Sequence, residues 1–255
     1  MDAIRVGLVG SGFSALLHLE GYKRAYGVEA KLEAVVSSDG RTAAEFAKKH
    51  GVPKVYSSYD ELLKDPLIDV VDICTPVFLH ENMVVQGVRA GKHVICEKPF
   101  TGYFGMEGDK FPIGRNVPKP VMYEKVVESM DRTREIIKSS GKLFMYAENW
   151  IYSPSILKCE EIIKAEKSKI LFMKGEESHS GSHASHAANW NKTGGGAMIR
   201  MGCHPLSAVL YLKRAEAKAK NEDTKIQYIV ADTGNITDKL REEERKWLAA
   251  RPVDV

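Results

Sequence analysis

IRVGLVGSGFSALLHLEGY, residues 4–22, is the stretch whose reading decides the fold. Its apolar, β-branched start (4–10) predicts a strand, and Leu16, Leu17, Leu19 and Tyr22 recur at the spacing of a helix. Between the two, Gly10, Gly12 and Ala15 stand in G-x-G-x-x-G/A spacing. Glycine at 10 permits a tight turn, glycine at 12 lets backbone approach a pyrophosphate, and alanine at 15 keeps helix and strand close. The helix N-terminus adds unpaired N–H groups that suit phosphate. Gly10, Gly12 and Phe13 are therefore candidate dinucleotide contacts.

The alternation continues outward. KLEAVV (31–36), IDVVDICT (68–75) and HVIC (93–96) read as strands. Helices fall at 40–51, 59–63 and 81–91 between them. Such βαβ units predict a parallel sheet covered on both faces. Residues 101–120 are rich in Gly and Pro and predict an irregular excursion. A charged amphipathic helix (122–140) and the strand KLFMYAE (142–148) complete a Rossmann-type domain over 1–148.

From 149 to 255 the grammar changes. A helix (154–166), the strand KILFMKGEE (169–177), a long polar stretch, the helix AMIRMGCHPLSAVLYLKR (197–214) and the strand KIQYIVADT (225–233) precede a charged tail, in which REEERKW (241–247) reads as a solvated helix. Two strands alone leave unpaired edges. This α/β second domain is expected to be incomplete or to borrow edges from a partner.

Across the 255 residues the net charge is only +3, with 44% hydrophobic and 28% charged residues. That balance argues against a nucleic-acid partner. Cys74, Cys96, Cys159 and Cys203 are far apart and form no C-x-x-C, which fits reduced thiols in a cytoplasmic protein. No run is apolar enough to predict a membrane span or signal peptide.

Residues at the predicted strand ends are the next candidates. Where a carboxylate would grip an adenosine ribose, the chain has Ser37 and Ser38, followed by Asp39 and Arg41. Hydroxyls with an Arg suit a 2′-phosphate and favour NADP over NAD, while an inward Asp39 would serve NAD. Thr75 and Pro76 end one strand, and His80 opens the next helix beside the crevice as a contact candidate. HVICEKPF (93–100) ends in Glu97, Lys98 and Pro99, at the edge where ligands bind in parallel sheets. A partly desolvated lysine there could lend a hydrogen bond or proton to a developing alkoxide. His179, His183 and His186 could surround zinc by spacing alone. Their Ser/Gly/Ala-rich setting has no flanking helix to fix them, so we expect no metal but a substrate-facing loop with His179, His183 and Trp190.

VGSGFSA, CTPVFLH, AGKHVICEKP and GGGAMIRMGCHP, in that order, resemble the Gfo/Idh/MocA family of NAD(P)-dependent sugar and cyclitol oxidoreductases over nearly the whole chain. The resemblance implies an enzyme that transfers hydride between a nicotinamide and a secondary alcohol of a sugar, cyclitol or related polyol. It implies that Lys98 touches the reacting hydroxyl beside the nicotinamide, that Glu97 helps hold the nicotinamide ribose, and that His204 is the acid/base. Lys98 and His204 would then converge over the nicotinamide. It also implies that Asn149, Trp150 and Tyr152 line the pocket.

The family's usual Asp is Arg200 here, one helical turn before His204 and expected on the same face. Arg200 cannot act as a base. We expect it to clamp an anionic substrate group, with a structural pair to Glu148 or Glu176 as the alternative. The family's second domain is an open, mostly antiparallel sheet used for homo-oligomers, so the chain reads as C-terminally truncated. A redox-neutral glycosidase or lyase with tightly bound NAD, and a non-catalytic NAD(P)-binding regulator, are the rival functions.

Overall fold

The computed structural model describes residues 3–178, 185–232 and 234. The chain divides into two compact units, Met1–Gly105 with Val117–Ala147, and Met106–Asn116 with Glu148–Val255.

In the first unit β1 (Ile4–Val9), α1 (Phe13–Lys23), β2 (Ala30–Val36), α2 (Gly40–His50), β3 (Lys54–Val55), α3 (Tyr59–Lys64), β4 (Val70–Ile73), α4 (His80–Arg89) and β5 (His93–Glu97) follow in order. The short helix α5 (Ile113–Asn116) belongs to the other unit, and α6 (Lys119–Ser140) and β6 (Phe144–Ala147) return to the first. All pairings are parallel, in the order β3-β2-β1-β4-β5-β6. The predicted parallel α/β sheet is thus present, with β3 an extra two-residue edge that its composition did not announce.

Neighbouring strand residues point to opposite faces, so Leu8 and Val35 join α1 and α2 residues in one core, while Val9, Ala34 and Val36 join Tyr59, Leu62 and Val84 in the other. Local chemistry sets the helix ends. Asp39 caps α2 by accepting from the Arg41 N–H, and Gly51 closes it at φ 71°. Ser58 caps α3 through the Glu61 N–H. The order reverses between β1 and β4, and the carboxyl ends flanking that reversal form the crevice of such sheets.

In the second unit α7 (Pro154–Glu166), α8 (Trp190–Thr193), α9 (Ala197–Arg200) and α10 (Cys203–Lys220) are helices. Two expectations are corrected. Residues 169–177 and 225–232 form no strand, and no antiparallel sheet occurs among the described residues. A lone extended segment has no ladder to complete its backbone bonds. Ile170 N–H instead donates to Glu216 Oε2 at 3.1 Å, and Leu171, Phe172, Tyr228 and Val230 are exposed. The helix expected over 197–214 is broken at Met201–Gly202. Pro205 has no N–H and would clash with the carbonyl four residues back, so the helix must restart just before it. Arg200 ends one helix and His204 lies in the first turn of the next; they do not share a helical face.

Candidate active site

Gly10 is the first residue past β1. Its φ is +108°, and a Cβ there would lie 2.5 Å from the Cys74 carbonyl oxygen, so only glycine fits where β1 and β4 end side by side. Its N–H donates to Val36 O at 2.7 Å. Gly12 is different: its backbone is ordinary, and a Cβ would meet nothing within 4 Å. It is the N-cap of α1 without a side-chain cap, so the first-turn N–H groups have no side-chain acceptor there. That open, uncapped turn fits a pyrophosphate, the dinucleotide group its spacing predicts. Phe13 is 76% exposed.

Past β2, Ser37 Oγ donates to Asp39 O at 2.6 Å and meets Thr42 Oγ1 at 2.9 Å. Ser38 and Arg41 are exposed, with Arg41 3.8 Å from the Asp39 carboxylate. Asp39 is engaged as the α2 cap. Past β4, Thr75 Oγ1 meets Met83 Sδ at 3.6 Å, and Pro76 is half-buried. His80 is only 1% exposed; its ring bridges Thr75 O at 2.8 Å and Pro99 O at 2.9 Å, strapping the ends of β4 and β5 together. Burial pushes its pKa down against those two carbonyl bonds.

Past β5, the Lys98–Pro99 peptide is cis and Lys98 is half-buried. Glu97 Oε2 accepts from the Lys98 N–H at 2.8 Å, and Oε1 lies 3.1 Å from His18 Nε2. His18 Nδ1 lies 2.8 Å from Asp72 Oδ2, and Tyr22 donates to the same oxygen at 2.5 Å. Burial favours the neutral imidazole, but bonds to Asp72, Cys74 and Glu97 and the charge of Asp72 outweigh it and hold the His18 pKa at about 12. The Glu97 pKa is lowered: burial opposes that, and the His18 bond and charge prevail. Sequence reading missed this cluster. The signal was Asp72, a carboxylate inside the otherwise apolar strand VVDI.

The second unit has its own polar centre, formed by Glu148, Trp150 and His204. His204 Nδ1 lies 2.7 and 3.0 Å from the two oxygens of Glu148, which also accepts the Trp150 N–H at 2.8 Å. Glu148 is 2% and His204 5% exposed, and the Trp150 ring stacks on His204 at 5.4 Å and 11°. A carboxylate only accepts, so Nδ1 carries the proton and Nε2 is left as the basic nitrogen. No described residue bonds Nε2, and it is not a fully enclosed orphan. His204 lies in the first turn of α10 because Gly202 and Pro205 restart the helix there.

Arg200 Nη1 donates to Ala187 O at 3.2 Å, and burial lowers its pKa. Glu148 bonds His204, and Glu176 pairs with Lys174 at 2.9 Å. Asn149 and Tyr152 are exposed. Trp190 lies against Gly114, where a Cβ would come within 2.6 Å of its ring. His179, His183 and the 241–247 stretch lie outside the described residues.

His18, Asp72 and Cys74, and Glu148, Cys203 and His204, each gather ligand-type atoms within 4.8 Å. In the first, both imidazole nitrogens face carboxylates, and burial pushes the Cys74 thiol up to about 12, which suits a metal poorly. No described helix is long and apolar enough to cross a membrane.

Residues 4–105 match the GFO_IDH_MocA family, described as "Oxidoreductase family, NAD-binding Rossmann fold". The trans-1,2-dihydrobenzene-1,2-diol dehydrogenase of Bos taurus is 30% identical over 196 residues, 76% of this chain and 50% of that protein. The chain thus spans about half the length of such relatives. An NAD-binding oxidoreductase from Klebsiella pneumoniae superposes with a TM-score of 0.62 at 25% identity, over 83% of this chain and 53% of that one. Levoglucosan dehydrogenase, in complex with NADH and levoglucosan, has the same fold: TM-score 0.66 at 23% identity, over 83% and 54% of the two chains.

Proposed function

From the premise that the chain belongs, through residues 4–105, to the Gfo/Idh/MocA oxidoreductases, we propose that it transfers hydride between a nicotinamide dinucleotide and a ring-borne secondary alcohol of a sugar, cyclitol or related polyol. The observation that carries this reading is the convergence of the Gly10–Gly12 turn and the Glu97-Lys98-Pro99 end on one edge of the sheet, beside its order reversal. Bound nicotinamide supplies the hydride chemistry. The chain's part is binding and proton management. The uncapped first turn of α1 would hold pyrophosphate. Ser37, Ser38 and Arg41 favour the NADP phosphate, since Asp39 is occupied as a helix cap.

In the oxidative direction, the carbinol C–H pair would leave as hydride to the nicotinamide, the O–H proton would pass to a base, for which His204 Nε2 is the second unit's candidate, and a carbonyl would form. In the sheet unit, Lys98 is the candidate to donate a hydrogen bond to a reacting oxygen and stabilise its developing negative charge. Glu148 fixes the His204 tautomer and stabilises the imidazolium that results. Arg200, whose charge burial disfavours, would gain from an anionic substrate group and serve as its clamp.

The bovine relative's name makes vicinal ring diols a first substrate class. The test is absorbance of the reduced nicotinamide with NAD and NADP separately, against trans-1,2-dihydrobenzene-1,2-diol, levoglucosan, inositols and uronates. Turnover on at least one is expected. Lys98→Met should cut kcat by roughly a hundredfold while leaving dinucleotide affinity within a fewfold. Dinucleotide binding with no turnover on any of the panel would overturn the enzyme reading.

A further inference from the structure

The glycine turn and the strand ends account for a dinucleotide site without help from His18, Tyr22, Asp72 or Cys74. We propose that His18 is a positioning residue for that site: as an imidazolium it ties Glu97, and through Glu97 the backbone at Lys98, to the buried carboxylate of Asp72. This rests on the reading of Glu97 and Lys98 given above.

The connection runs without a break. Ala15, His18, Leu19 and Tyr22 form the i, i+3, i+4, i+7 stripe of α1, and Ala15 and Leu19 are buried. That places His18 and Tyr22 over β4, whose Asp72 is 0% exposed. Asp72 Oδ2 is 2.8 Å from His18 Nδ1, Glu97 Oε1 is 3.1 Å from Nε2, and Glu97 Oε2 accepts the Lys98 N–H at 2.8 Å. Both ring nitrogens face oxygens that can only accept, so both carry hydrogen and the ring is charged.

The groups about His18 are Asp72 from β4, to which Tyr22 of α1 also donates, Cys74 just past β4, and Glu97 from β5. Burial, more than the nearby charge, pushes up both the Tyr22 hydroxyl and the Cys74 thiol. Those two stay neutral, and the charge of His18 is answered by the carboxylates alone.

Stability alone does not explain such an arrangement. Well-packed apolar residues serve a core as well as a buried ion triad or better. What they cannot do is reach from the sheet interior to the Glu97 carboxylate and set its orientation, and with it the start of the Lys98 turn.

The test titrates NADH and NADPH by fluorescence into the wild-type chain and His18→Gln from about pH 5 to 9, the span over which a displaced carboxylate proton would show. Without the imidazolium, Asp72 and Glu97 lose the one positive charge that both are bonded to, and a carboxylate left so takes up a proton more readily. His18→Gln should bind about tenfold more weakly, the size of one lost charge-assisted hydrogen bond. Its affinity should also gain a pH dependence that the wild type lacks. Wild-type affinity with a wild-type pH profile would overturn the proposal.

Should that variant not fold, His18→Leu with Asp72→Leu supplies an apolar replacement for the interior pair. It should fold and still bind weakly; wild-type affinity in the double variant would refute positioning. Nitrogen-15 spectra of the unliganded wild type separate this proposal from the function it rests on. Two protonated ring nitrogens at about pH 8, above the ordinary range of histidine, are expected whether or not any dinucleotide binds. A neutral ring would overturn the imidazolium tie.

Discussion

Glu148 and His204 are 56 positions apart, yet they form the most enclosed acid–base pair among the described residues of the second unit. A buried carboxylate is tolerated only when bonded, and Glu148 has both the His204 ring and the Trp150 N–H as donors. Glu148→Gln keeps the size and an acceptor for the Trp150 N–H but removes the charge that orients the imidazole and offsets its protonation. If His204 is the acid/base, the variant should lose on the order of a hundredfold or more in kcat, with little change in KM and near-native stability. Steady-state kinetics with urea unfolding of the same preparation checks both. A matching loss of stability, or unchanged kcat, would reduce the pair to packing. Histidine in GCHP could be singled out from the sequence through the resemblance of GGGAMIRMGCHP to the family's motif. Its carboxylate partner could not, because Glu148 ends an unrelated strand segment and no spacing rule links the two.

At the scale of elements, α4 rests on β4 and β5 through Gly87. A Cβ there would fall 2.9 Å from Tyr59 Oη and Val94 Cγ2 and 3.1 Å from Val71 Cγ2. Glycine to alanine ordinarily stabilises a helix interior by about 1 kcal/mol. Here overpacking should win: Gly87→Ala is expected to destabilise by roughly 1–2 kcal/mol in urea unfolding, and a stabilised variant would show that α4 has room to move. The sequence made most βαβ elements legible because β1, β2, β4 and β5 lie in apolar runs and helices such as α2 are bounded by a cap and a glycine, Asp39 and Gly51. It misled where a residue's meaning depends on partners. KILFMKGEE and KIQYIVADT have strand composition but pair with no strand among the described residues. In AMIRMGCHP the apolar spacing ran on through a proline that the backbone could not follow. Asp72 was readable as an anomaly, but its use required knowing that α1 lies over β4.

For the whole molecule, the shifted groups of the sheet unit fix the sign of its pH response. The His18 pKa is raised from 6.5 to about 12, so the folded state holds a proton that the unfolded chain releases. Its stabilisation is full below about pH 6.5 and is lost as pH rises toward 12. Asp65 is lowered from 3.8 to about 2 by hydrogen bonds from Lys54 and Tyr56, and Glu97 is lowered from 4.5 despite its burial. Their stabilisation is present above those ordinary values and is lost in acid. Unfolding free energy should therefore decline above about pH 6.5, by at most about 1.4 kcal/mol per pH unit from His18. The decline should flatten in His18→Gln when urea unfolding is followed across pH. An equal slope in the variant would place the titrating group elsewhere.

The interleaving of the two units also governs how the protein can be dissected. Residues 106–116 lie between two pieces of the sheet unit yet belong to the other unit, where Gly114 meets Trp190. A gene fragment stopped after Ala147 would excise the indole but keep the eleven-residue insert that packs on it. Neither half of this chain can be cut out as one uninterrupted peptide without leaving an orphaned surface behind.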